Sequence, residues 1–137
     1  MEKKDIALEQ LRSAAKHYKK KEYISAIILA GAAEEILGQI ARKRNNTNEF
    51  EKETEYLKSI YKYYNKPLPE DNVIKGRINK VKNEIKHNDS GENLWVNSDF
   101  ENEAVLLFVK AVKNFINAYN EPPKDKIIMS LFDFLTL

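Results

Sequence analysis

Apolar positions recur at helical spacing along almost the whole chain. Leu8, Leu11, Ala15 and Tyr18 form one stripe and predict a first helix from about Lys4 to Lys20. A second is predicted from about Glu22 to Arg44, and its stretch from Ile24 to Ala33 is apolar on nearly every face. Such a helix belongs at the centre of a fold. At about 100° per residue, Ala26, Leu29, Ala33, Ile36, Leu37 and Ile40 share one side. Ile24, Ile27, Ile28, Gly31, Glu35 and Gly38 share the other. Gly31 and Gly38 lower helix propensity, which implies close approach of a neighbouring helix. A third helix, about Thr47 to Tyr64, aligns Phe50, Leu57, Ile60, Tyr61 and Tyr64, and Pro67 and Pro69 end it. A fourth, about Glu70 to His87, carries a narrow stripe of Ile74, Ile78, Val81 and Ile85, and Asn88-Asp89-Ser90-Gly91 breaks it. A fifth begins at Ser98 or Asp99, where Ser98 and Glu101 have capping-box spacing. It presents Ala104, Phe108, Ala111, Phe115 and Ala118, and stops at Pro122-Pro123. A tail rich in large apolar residues runs from Lys126 to Leu137. With no repeat and no strand alternation, the pattern predicts an all-α fold. It is a single domain over residues 1–137, an up-and-down bundle of four to five antiparallel helices plus a short C-terminal helix or tail. Residues 121–137 are expected to pack on the bundle or on a dimer partner.

Composition supports this reading and removes several function classes. The chain has 137 residues, with 4 Gly, 4 Pro and 32% charged residues, a helix-rich rather than disordered balance. It has no Cys, which excludes disulfides, thiol chemistry and the usual zinc-finger ligand sets. The net charge of +2 does not by itself demand a nucleic acid. The N-terminal stretch has no apolar signal region, and the run from Ala26 to Ala33 is far below the ~20 residues of a membrane span. The expectation is a cytoplasmic protein with no membrane partner.

Candidate chemistry is sparse. The chain has no phosphate-binding Gly loop, no GxSxG and no HExxH. Glu84 and His87 match half of a di-iron Glu-x-x-His pair, but Ala14 stands where the second Glu would precede His17. No metal or other cofactor is therefore expected. On a regular helix His87 falls about 140–160° from the centre of the Ile74–Ile85 stripe, and Asn83 is on the same outward side. Taken alone, His87 reads as a solvated histidine at a helix C-terminus, and Lys75, Lys82 and Lys86 as a solvated flank.

Two segments add a resemblance. Lys82-Asn83-Glu84-Ile85-Lys86-His87 is similar to the Arg-Asn-x-x-x-His ribonuclease motif of HEPN domains, with Lys in place of Arg, and Lys86-His87-Asn88-Asp89 is also similar to that family. The segment from Tyr23 to Gly38 resembles the second helix of small bacterial HEPN-like proteins. The resemblance implies metal-independent RNA cleavage by a homodimer of toxin or defence type, with an antitoxin-type protein partner. His87 would exchange a proton with the ribose 2′-OH or the leaving 5′-oxygen. Lys82 would stabilise charge on the phosphorane-like transition state. Asn83 would position a phosphate oxygen or the imidazole, Glu35 or Glu34 would orient the histidine or a neighbouring base, and Asp89 completes the candidate set. Lys lacks the planar fork of Arg. Five residues also separate Lys82 and His87 by about 140° around a helix, so convergence needs a distorted helix end or a second subunit. The Ile24/Ile27/Gly31/Gly38 side or the apolar tail would be the dimer surface. The alternatives are a catalytically inactive HEPN-like module that binds protein or RNA, and an adaptor whose tail docks in a partner groove.

Overall fold

A computed structural model describes residues 1–87 and 94–137. The described residues form an all-α bundle: α1 (Lys3–Lys19), α2 (Tyr23–Asn45), α3 (Glu49–Tyr63), α4 (Asp71–Ile78), α5 (Lys80–Lys86), α6 (Phe100–Tyr119) and α7 (Lys126–Leu135). The centre is the α2/α6 pair. α1 packs along α2, and α7 closes the bundle against α1 and α6. α3 rests on α6, α4 follows on α3, and α5 lies on α2.

Small residues let these helices approach. Ala7, Ala14, Ala15, Ala26, Ala30, Ala33, Ala104 and Ala111 are buried at the seams, and Leu11, Ile27, Leu37, Val112 and Ile128 fill the space between them. Interaxial distance is set by the side chains at the crossing, so alanine seams bring axes close and increase dispersion contact. α2 buries one broad face, from Ala33 and Ala26 round to Ile27 and Gly31, while Ile24, Ile28, Glu35 and Gln39 are exposed, so the burial on every face that its apolar stretch suggests is not found. α2 is also long and apolar enough to cross a membrane, yet half of its most apolar window is buried inside this bundle.

Several boundaries differ from the sequence expectation. The fourth helix is two helices. At Asn79 (φ −91°, ψ 3°) the chain tightens, and the Asn79 N–H donates to the Lys75 carbonyl. Ile74 is fully buried, Ile78, Val81 and Ile85 are half-buried, and α5 sends Lys82 inward instead. The N-cap of α6 is Asp99, whose carboxylate accepts from the Asn102 N–H, in place of the Ser98/Glu101 capping box. α3 starts at Glu49, after Asn48, and its buried residue is Thr54, while Ile60 and Tyr64 are exposed. The tail forms α7: Asp125 caps it through the Ile127 and Ile128 N–H groups, pairs with Arg12, and places Ile128 and Leu131 in the core.

Candidate functional site

The carboxylates of Glu34 and Glu35 leave the middle of α2 toward α5. Lys82 comes to meet them from α5. Its Nζ is 2.7 Å from Glu35 Oε1 and 3.7 Å from Glu34 Oε2, and its side chain is 4% exposed. Lys86 stands at 3.9 Å from the same Glu35 oxygen. Across the cluster, Lys110 of α6 pairs with Glu53 of α3, and Glu103 of α6 is half-buried nearby.

Gly31 explains how Lys82 gets there. A Cβ on Gly31 would stand 2.9 Å from Cδ and 3.3 Å from Cγ of Lys82. The missing side chain is the groove in which the lysine stem lies. Gly38 has a similar use: its carbonyl accepts from Asn48 Nδ2 at 3.0 Å, and a Cβ there would crowd Asn48 and the buried Asn114. Asn114 in turn accepts from the Glu49 N–H at 2.9 Å, which ties the start of α3 to α6. The two glycines therefore admit polar side chains of this same chain. This corrects the first of the two expected dimer surfaces, because Ile27, Gly31 and Gly38 are buried within the bundle, while Ile24, Ile28 and Glu35 stay exposed on that side.

Burial sorts the charges. Glu34 is held above the usual carboxylate range because desolvation outweighs the attraction of Lys82 and Lys110. Glu35 is half exposed. Burial pulls it upward less than the Lys82 hydrogen bond and the charges of Lys82 and Lys86 pull it down, so it titrates low. Glu103 is raised, by burial first. An open pocket of about 180 Å³ adjoins the cluster, lined by Glu34, Glu35, Gln39, Asn48, Phe50 and Lys82 among others.

The candidate catalytic set is divided by this arrangement. Lys82 and Glu35 are brought together. Asn83 and His87 are exposed, and His87 sits past the last turn of α5 in extended conformation (φ −130°, ψ 146°). Asp89 lies outside the described residues. Two expectations are corrected. Lys82 is buried in ion pairs rather than on a solvated flank, and Glu34 and Glu35 hold that lysine rather than an imidazole. Helical periodicity over Glu70–His87 missed this, because a lysine at the edge of an apolar stripe reads as solvated, and the carboxylates that pair it stand on α2. No group of three or more metal-ligating side chains occurs among the described residues. Comparison with protein-family models, with curated protein sequences and with solved structures finds no match to this chain.

The role of the Gly31 groove is testable on its own. Gly31→Val is expected to cost about 1–3 kcal/mol by overpacking. The cost should shrink when combined with Lys82→Ala, since the clash partner is gone. Urea titration of the single and double variants measures the coupling, and additive effects would show that the valine clashes elsewhere.

Proposed function

We propose that this chain is a HEPN-like helical module that acts by binding and does not cut RNA. The family reading rests on the segments from Tyr23 to Gly38 and from Lys82 to His87. The observation that supports the silent form is the engagement of Lys82. A cation that stabilises a developing phosphoryl charge must reach the reacting group. Here the ammonium is 3.7 Å from Glu34 and 2.7 Å from Glu35, and it is desolvated between α2 and α5. Moving it to a substrate would leave Glu34 charged and buried, which is costly. Its role in this reading is to seat α5 on α2. A cytoplasmic location and a homodimer belong to the same proposal.

A nuclease of toxin type is the second reading, and one observation favours it. Asn83 and His87 are both exposed at the end of α5, where a substrate or a second subunit could reach them. Incubating the purified protein with structured RNA in EDTA, beside His87→Ala, separates the two. No cleavage by either protein is the expected result. Cleavage by the unmodified chain that His87→Ala abolishes would overturn the silent reading and establish the nuclease.

A further inference from the structure

The C-terminal half of α3 leaves large rings in water. Tyr56, Tyr63 and Tyr64 are 64%, 80% and 64% exposed, in a residue type that is usually at least half-buried. Tyr56 and Tyr63 are two turns apart on one face, separated by about 10 Å along the axis. Tyr64 meets Tyr63 edge to face, with centroids 5.0 Å apart. The end of the helix is fixed. Asn65 adopts a left-handed conformation (φ 52°), and the Lys66 N–H returns to the Tyr61 carbonyl at 3.0 Å.

The stretch that carries these rings is basic, although Glu55 and Asp71 stand beside Tyr56. From Tyr56 to Pro69 the chain holds four tyrosines, three lysines and no acidic residue. These fourteen residues carry +3 in a chain whose total is +2, but Lys58 is paired with Glu55 and Asp71, so the charge left for a ligand is that of Lys62 and Lys66. Lys62 and Lys66 are exposed, and neither is ion-paired among the described residues. Arg77 of α4 bonds the Tyr61 hydroxyl, which adds a cation beside the platform. An apolar protein partner would use the rings but not this excess of cations. A nucleic-acid strand uses both: bases stack on aromatic faces, and the backbone runs along the positive charge.

We infer that the α3 C-terminal face, built on Tyr56, Tyr63 and Tyr64 with Lys62 and Lys66, binds single-stranded nucleic acid by stacking and phosphate contact. This surface does not depend on Lys82 or His87. It supplies a partner class for the binding reading, and the cleavage test of that reading stays independent of it.

Fluorescence anisotropy of the full chain with a labelled oligouridylate of about fifteen nucleotides, at low salt, tests the surface. Tyr63→Ala is expected to weaken binding roughly fivefold to a hundredfold, the range of one lost stacking contact. Lys62→Gln and Lys66→Gln should each flatten the dependence of log affinity on log salt by about 0.7. All three positions are exposed, and unchanged circular dichroism confirms that the variants fold. Three results would overturn the inference: no binding at low salt, equal binding by Tyr63→Ala, or equal affinity for duplex of the same length. Self-association abolished by Tyr63→Ala, without oligonucleotide binding, would also overturn it and assign the face to a second copy of the chain.

Discussion

Replacing Lys82 with alanine is expected to destabilise the fold by about 3–5 kcal/mol, the cost of removing one partner from a buried ion pair. The loss comes mainly through Glu34. Both Lys82 and Glu34 are nearly inaccessible, at 3% and 4% exposure, so the variant leaves a desolvated carboxylate with only the more distant Lys110 to offset its charge. Glu35 contributes less despite its shorter contact. It is half exposed and solvent screens it, so Glu35→Gln should cost under about 1 kcal/mol.

The pH dependence of this loss has a defined sign. Glu34 already has a raised pKa in the fold, and removing Lys82 raises it further. A group with a raised folded pKa contributes stability fully below its unfolded pKa and loses it as pH rises through its folded value. The deficit of Lys82→Ala against the native chain should therefore narrow as pH falls through the folded pKa of Glu34. That narrowing should begin above the ordinary glutamate range near ~4.3. Chemical denaturation of both proteins across the acid range measures it. A deficit below about 1 kcal/mol at neutral pH, or one that narrows only below ~4, would show that Lys82 is solvated in solution. Pairing Lys82→Met with Glu34→Leu should recover much of the stability, since apolar side chains of similar volume often replace a buried pair without loss.

The bundle was legible because burial in a helix imposes the 3.6-residue period, and alanine seams and proline stops mark where helices meet and end. The placement of Lys82 was not legible from that period. Periodicity places Lys82 at the edge of the Ile74–Ile85 stripe, where a charged side chain reads as solvated. The stronger signal stood on the opposite helix. Gly31 lies within the most apolar stretch of the chain and Gly38 two turns beyond it, and each marks a position where a polar side chain enters. α3 shows the converse error. Large rings at helical spacing read as core, yet the lysines among them belong to a surface. For the candidate site, sequence reasoning named Lys82, Asn83, His87 and Glu35, but not which of them would be used up by folding. Pairing is a property of two elements distant in sequence, and one helix viewed alone cannot reveal it.

Ending the chain at residue 125 is expected to remove most of its stability. α7 contributes two core side chains, Ile128 at 0% and Leu131 at 4% exposure, against α1 and α6. Losing each resembles a large-to-small core change of about 2–5 kcal/mol. Their sum approaches the 5–15 kcal/mol by which a typical domain is stable. The truncation also strips Asp125 of the two N–H groups it caps. That carboxylate titrates low because its hydrogen bonds to Arg12, Ile127 and Ile128, with the Arg12 charge, outweigh the opposing effect of burial. A single Ile128→Ala change keeps the helix and its cap and should cost about 2–5 kcal/mol, so it isolates the core contribution. Phe134, 70% exposed at the far end of α7, is the internal control, and Phe134→Ala should change stability by less than about 0.5 kcal/mol. Thermal and urea unfolding of the three variants distinguishes a core helix from a detachable docking segment. A truncated chain that melts with the full-length protein would show that α7 leaves the bundle in solution and is available to a partner.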